Sequence, residues 1–217
     1  MTHQEFIDEI RKAYLAARKY SYVPRRNSQV LRRGTSHTIS SISEDIFAAY
    51  CAEKAIQTNG LEIIADPQIS FSGAGLRNIN DKKSLLIRPD VAICKTQKIV
   101  CLFDLKMDLG FNRSGFITQA TARSIQMNLI KNKCATINGN PYIISPEIEF
   151  NYLLLSEKNG LRGLHNRNMA TIETLKNINA FLLTDGDHLN SYHKSAIFKA
   201  NDKEFERLDS LLAKYLN

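Results

Sequence analysis

The sequence predicts an α/β fold with a mixed β-sheet flanked by helices, and two observations support this prediction. Helical periodicity occurs near both ends and in the middle of the chain, while short β-rich runs lie between these stretches. A chain of 217 residues, 43% hydrophobic and 24% charged, has the size and balance of one globular domain. No internal repeat, low-complexity tract or Pro/Ser-rich linker divides it, so we expect a single domain over residues 1–217.

Two helices precede the first predicted strand. Thr2 and Glu5 have the spacing of a capping box, and apolar residues then recur on one face up to about Tyr20. A second helical stripe begins near Ser41 and stops before Gly60. The stretch between the two helices is predicted to be a basic loop.

Short runs rich in β-branched and aromatic residues follow the second helix. They predict strands at residues 61–65, 68–71, 85–94 and 98–106, the last two close enough to form a hairpin. Later patterns predict a helix at 114–133, strands at 148–156 and 180–184, and a closing helix at 202–216. The chain thus divides into an N-terminal helix and basic loop (1–40), a core (41–156) and a C-terminal strand and helix (157–217).

The charge distribution favours an anionic partner. The net charge is +7, and eight basic residues but no acidic residue lie between Arg11 and Gly34. Such a run can neutralise phosphates and release counterions, although a solvated basic face would explain it equally well. We therefore predict phosphate contacts rather than base contacts for the loop arginines Arg25, Arg26, Arg32 and Arg33.

The sequence also indicates a compartment. The N-terminal residues are polar and partly acidic, unlike a signal peptide, and no apolar run is long enough to cross a bilayer. The four cysteines form no CxxC pair and have no histidine at zinc-finger spacing. We expect a soluble, cytoplasmic protein with reduced thiols and no membrane partner.

Two carboxylates and an amine lie at the ends of two predicted strands. Asp90 follows Arg88-Pro89, and fourteen positions later Asp104 and Lys106 end an apolar run. Residues i and i+2 of a strand share a face, so Asp104 and Lys106 point the same way, and hairpin pairing would bring Asp90 alongside. Adjacent carboxylates repel unless a cation lies between them, and oxygen ligands suit Mg²⁺, with Mn²⁺ as a substitute. The alternatives are an exposed strand-end carboxylate and a surface ion pair.

These residues resemble the PD-(D/E)XK signature of restriction-endonuclease-like nucleases. Pro89-Asp90, a spacer of thirteen residues and Asp104-Leu105-Lys106 carry the resemblance, and the predicted α-β-β-β-α-β order of residues 41–156 is similar to the core of that family. The resemblance implies a restriction-endonuclease-like core. It also implies that Asp90 and Asp104 bind metal and that Lys106 positions or activates water.

The resemblance suggests further site residues on two helices. Many members of the family use a glutamate from the helix before the sheet, here Glu44, with Asp45 as a weaker candidate. Glu44 could instead complete a capping box with Ser41. On the helix after the motif, Gln119 resembles the glutamine of some exonuclease branches, whose following tyrosine is replaced here by Arg123. We take Gln119 and Arg123 as candidate DNA contacts, and a solvated polar face is the alternative.

The sequence therefore predicts a Mg²⁺-dependent DNA endonuclease, a hydrolase similar to type II restriction enzymes that acts on double-stranded DNA. Asp90, Asp104, Lys106 and Glu44 are its candidate catalytic residues, and the three acids are its candidate metal ligands. One alternative is a repair, recombination or transposon nuclease of the same fold. Another is a DNA-binding module without catalysis, against which the intact motif argues. The sequence leaves open the recognition site, a homodimer, DNA versus RNA, and one metal versus two.

Overall fold

The structure is a computed structural model that describes residues 1–18, 40–56, 59–71, 85–107, 115–156, 169–186 and 198–217. Within these ranges no helix is both long enough and apolar enough to cross a membrane. The predicted phosphate contacts Arg25, Arg26, Arg32 and Arg33 lie outside the described residues.

The described residues contain four long helices and ten strands. The helices are α1 (His3–Arg18), α2 (Ser40–Lys54), α3 (Phe116–Ile130) and α4 (Asp202–Leu216). The first five strands are β1 (Leu61–Ala65), β2 (Ile69–Ser70), β3 (Leu86–Ile87), β4 (Val91–Lys95) and β5 (Lys98–Lys106). The remaining strands are β6 (Cys134–Ile137), β7 (Asn140–Leu154), β8 (Ile178–Leu182), β9 (Thr184–Gly186) and β10 (Phe198–Ala200).

Eight of these strands form one mixed sheet. Its order is β1-β4-β5-β7-β6-β2-β3, and β8 also pairs with β7. The β5–β7 and β7–β8 pairs are parallel, whereas the other pairs of this sheet are antiparallel. The predicted α/β class, with a mixed sheet flanked by helices, is therefore confirmed.

The central strands are buried on both faces, and each face has its own hydrophobic cluster. Helices α1, α2 and α4 cover one side, here called the α2 face, where Phe47 of α2 meets the Phe103 ring of β5 at a centroid distance of 4.9 Å. Helix α3 covers the opposite side, the α3 face, where Phe116 meets Tyr152 of β7 at 5.0 Å. Successive residues of β4 alternate between the two clusters, as the pleat of a strand requires.

Local sequence signals explain several boundaries. Thr2 and Glu5 form the predicted capping box at the start of α1, since the Glu5 amide donates to Thr2 Oγ1 and the Thr2 amide donates to Glu5 Oε2. The predicted hairpin between β4 and β5 is confirmed. Its turn residues Thr96 and Gln97 have φ values of 51° and 60°, the left-handed backbone that a two-residue hairpin loop requires.

Two predicted strands differ most from the structure, and the strand predicted at 180–184 is β8, shifted by two residues. The run predicted as one strand over 85–94 is split into β3, which pairs with β2, and β4, which pairs with β5. Pro89 lies in the break, where its missing N–H cannot contribute to a strand ladder. Strand β7 begins at Asn140 rather than near 148, because Asn138 and Gly139 turn the chain back into an additional hairpin with β6.

A polar cluster around Asp209 joins three helices on the α2 face. The Tyr50 hydroxyl and the Lys54 ammonium of α2 donate to its carboxylate at 2.6 and 2.7 Å, and His3 Nε2 of α1 lies 3.0 Å away. Burial would raise the pKa of Asp209, but the hydrogen bonds from Lys54, Tyr50 and His3 outweigh it and lower that pKa. The ionised carboxylate therefore stabilises the packing of α1 and α2 on α4.

We predict that Asp209→Asn lowers the free energy of unfolding by about 2 kcal/mol at pH 7, because it weakens charge-assisted hydrogen bonds. The lowered pKa of Asp209 means that this stabilisation is present above about pH 4 and is lost as the pH falls further. Urea denaturation from pH 7 to pH 3 should show the difference from wild type shrinking in acid. Glu206→Gln, an exposed acid on the same helix, is the control, and an equal loss in both variants would contradict the role of the cluster.

Candidate metal centre

The β4–β5 hairpin places Asp90 next to Asp104. Val91 is the register partner of Phe103, and the Asp90 amide donates to the Phe103 carbonyl at 2.8 Å. The Leu105 amide in turn donates to Asp90 Oδ2 at 2.5 Å. The carboxylate of Asp90 is therefore held at the end of β5, beside the residue that the sequence pairs with it.

Lys106 and Asp104 form an ion pair on β5. The Lys106 ammonium contacts Asp104 Oδ1, and the side chains are 39% and 17% exposed, respectively. Asp104 and Lys106 lie two and four residues after Leu102 on the same strand, so they share its face of the sheet. Leu102 belongs to the cluster on the α3 face. The pair is thus partly open to solvent, and it lies on a central strand of the sheet between β4 and β7.

Glu44 approaches this region from α2, the helix on the other face of the sheet, and its charge interacts with those of Asp104 and Lys106. Its side chain is only 7% exposed, whereas its neighbour Asp45 is exposed. The proposed capping box with Ser41 is wrong, because α2 already begins at Ser40 and Ser41 lies inside the helix. In the described part of the chain no hydrogen bond reaches the Glu44 carboxylate.

The acidic side chains raise one another's pKa values. Burial, followed by repulsion from Asp104, raises the pKa of Asp90 well above its ordinary value, despite the hydrogen bond from the Leu105 amide. Burial and the charges of Asp66, Asp45 and Asp104 likewise raise the pKa of Glu44. The region therefore carries more negative charge than its single lysine offsets.

Asp66 is a member of this acidic region that sequence reasoning missed. It follows β1, and its amide donates to the Asp90 carbonyl at 2.7 Å. Its φ of 46° is left-handed, a conformation that aspartate tolerates better than most residues. Its position directly after a predicted strand is visible in the sequence, but its closeness to Asp90 is not.

The two polar candidates on α3 have different surroundings. Gln119 is exposed, whereas Arg123 is half-buried with its guanidinium carbon 4.5 Å from the centroid of the Phe150 ring. Arg123 Nη1 also donates to Gln126 Oε1. Burial raises the pKa of Tyr152, and the nearby Arg123 partly offsets this effect.

The donor set of this region consists of carboxylate oxygens. Such ligands suit Mg²⁺ and Mn²⁺, and a divalent cation would relieve the repulsion between Asp90 and Asp104. As the side chains stand, however, no three His, Cys, Asp or Glu residues in the described ranges are grouped closely enough to hold a metal ion. The Lys106 ammonium also contacts Oδ1, one of the two carboxylate oxygens of Asp104.

Comparison with protein-family models, curated proteins and solved structures found no match for this chain. The resemblance to PD-(D/E)XK nucleases therefore stays a prediction, supported by the motif and by the arrangement of its residues.

We predict that the acidic pair makes stability depend on pH and on divalent cations. Without such cations, the contribution of Asp90 to stability should fall as the pH rises from about 4 to about 7, because folding raises the pKa of Asp90 to about 7. Asp90→Asn should flatten this dependence. Mg²⁺ at ten times its Kd should add about 1.4 kcal/mol to the stability of the wild type alone.

Thermal denaturation with EDTA or Mg²⁺ measures both effects. Asp104→Asn is a further variant of the candidate site, and Glu206→Gln is the control for the loss of one negative charge. Equal Mg²⁺ stabilisation of wild type, Asp90→Asn and Asp104→Asn would rule out a cation at this position.

Proposed function

We propose that the chain is a Mg²⁺-dependent DNA endonuclease with a restriction-endonuclease-like core. The observation that carries this proposal is the convergence of Asp90, Asp104 and Lys106 at one end of the central hairpin. When β6, β2 and β3, which lie beyond β7 in the sheet, are set aside, the remaining elements from α2 to β7 follow the order α2, β1, β4, β5, α3, β7. That order matches the one implied by the PD-(D/E)XK resemblance.

The acidic residues have the chemistry of cation ligands. Asp90 and Asp104 would hold Mg²⁺ or Mn²⁺, and Glu44, buried and without a hydrogen-bond donor among the described residues, would extend the oxygen set from α2. When bound, the cation would polarise a phosphodiester and lower the pKa of a coordinated water. Without a cation, the burial of Asp90 and Glu44 and the repulsion from Asp104 have an electrostatic cost.

Lys106 is suited to serve the attacking water. Its ammonium rests on Asp104, yet more than a third of its side chain is open to solvent and can reach a substrate. A lysine beside a water can orient it by hydrogen bonding or accept its proton. Asp104 would then hold the cation, and Lys106 would hold the water.

The charge of the chain favours a polyanionic substrate. A net charge of +7 attracts nucleic acid, and the arginine-rich stretch from Arg11 to Gly34 supplies groups that can release counterions. We propose double-stranded DNA as the substrate.

The direct test is incubation of the purified protein with plasmid and defined duplexes in Mg²⁺. Discrete fragments would support a restriction-type endonuclease, and a smear would support a less selective nuclease of repair, recombination or transposition. Retardation of the DNA without cleavage would favour the DNA-binding module and contradict the proposal.

We predict that Lys106→Ala lowers the single-turnover rate of duplex cleavage by about 10²-fold or more, the usual effect of losing a general acid–base group. DNA affinity should stay within about twofold, because Lys106 is assigned to water rather than to phosphate binding. Lys98→Ala, at the other end of the same strand, is the matched control and should cleave normally. Cleavage by Lys106→Ala at the wild-type rate would exclude this role, since a half-exposed ion pair contributes only about 1 kcal/mol or less.

A further inference from the structure

Arg123 is the only charged residue of α3, and it lies on the side of the helix that faces the sheet. Its guanidinium is half-buried above the Phe150 ring of β7, with 4.5 Å between the guanidinium carbon and the ring centroid. The Gln126 side chain, one helical turn further on, accepts a hydrogen bond from Nη1. The stacking and this hydrogen bond together restrict the orientation of the guanidinium plane.

This position is close to the candidate metal centre. The Phe150 ring contacts the Tyr152 ring at a centroid distance of 5.1 Å, and Tyr152 is the register partner of Asp104 in the β5–β7 pair. Phe150, Tyr152 and Leu102 all belong to the cluster on the α3 face, from which Asp104 also projects. Arg123 therefore lies across one strand from the acidic pair, on the same face of the sheet.

Arg123 has no carboxylate partner among the described residues, since none lies within 4 Å of its guanidinium. A guanidinium carries five N–H donors, and the acceptors near it are Gln126 and the Tyr152 hydroxyl region. Arg207 on α4 shows the usual arrangement: it also lies over an aromatic ring, that of Phe181 at 5.2 Å, but is paired with Glu204. A half-buried cation without a counter-ion is costly unless an anion joins it.

We propose that Arg123 binds the substrate phosphate that lies next to Asp104, using two parallel N–H donors. This inference rests on the proposed nuclease function and adds a specific phosphate contact to it. The planar guanidinium matches two phosphate oxygens, and Phe150 and Gln126 hold it in advance, so that little conformational freedom is lost on binding. Arg123 and Lys106 thus have separate roles, the first on the phosphate and the second on the water.

The test measures binding without relying on cleavage. An end-labelled 20-base-pair duplex is titrated with protein in Ca²⁺ over a range of salt concentrations, and affinity is read by fluorescence anisotropy. Arg123→Gln should weaken binding by about 10- to 100-fold and reduce the slope of log affinity against log salt by about 0.9. Arg123→Lys keeps the charge but loses the two-donor geometry, so the slope should persist while affinity falls by about 3- to 10-fold.

Arg207→Gln is the matched control, because it removes the same charge and a similar ring contact on the opposite face of the sheet. It should change affinity by less than about twofold. If Arg123 only supports packing, Arg123→Gln and Arg123→Lys will lower the thermal midpoint but bind the duplex like wild type, and the proposal is then wrong. If Arg123→Gln does not fold, the test rests on Arg123→Lys, and wild-type DNA affinity in that variant overturns the proposal.

Failure of the nuclease proposal would look different. If Arg123→Gln loses duplex binding but the wild type never cleaves DNA in Mg²⁺, the phosphate contact stands and the proposed nuclease activity is refuted. A protein that cleaves normally, with both Arg123 variants binding and cleaving like wild type, would refute only the phosphate contact. No binding of the duplex by wild type would overturn both.

Discussion

The antiparallel pairing of β4 with β5 is the interaction on which both the core and the site depend. Val91 and Phe103, paired in register, turn toward the α2 face, while Ala92 and Leu102 turn toward the α3 face. Strands that are apolar on both sides must be covered on both sides, which explains why helices flank the sheet. The same pairing brings the carboxylate of Asp90 to the end of β5, where the apolar run gives way to charge.

The acidic residues of the candidate site destabilise the fold that this core stabilises. Burial, followed by repulsion from neighbouring acids, raises the pKa values of Asp90 and Glu44. Asp209, by contrast, is compensated by three donors on neighbouring helices. This contrast between the two clusters supports the proposed cation site at Asp90 and Asp104. Burial of apolar side chains in the two hydrophobic clusters offsets the electrostatic destabilisation by these acids.

Local signals predicted the parts of the fold that depend on neighbouring residues. The bounds of β1, β5 and α4 agree with the sequence pattern to the residue, because periodicity and the Asn201 cap define them within a few positions. The break at Pro89 was also visible locally, since proline rarely lies inside a paired strand. The Asn138-Gly139 turn was a further local signal, and it would have revealed β6.

Features that depend on contacts distant in sequence were not predictable in this way. Whether Glu44 completes a capping box or faces the sheet depends on where α2 begins. The helix begins at Ser40, which is too early for a capping box between Ser41 and Glu44. Asp66 joins the acidic region through the backbone of Asp90, which no spacing rule indicates. The burial of Arg123 over Phe150 likewise required knowing how α3 crosses β7.

The parallel pairing of β5 with β7 has a consequence for the order of folding. The hairpin from Asp90 to Lys106 closes through a two-residue turn, so its entropy cost is small and it can form early. Strand β7 reaches β5 only after the chain has passed through α3 and β6, a pairing between residues far apart in sequence that forms slowly. Asp90, Asp104 and Lys106 are therefore expected to come together first, within one local segment, and Arg123 to approach them only when the crossover docks.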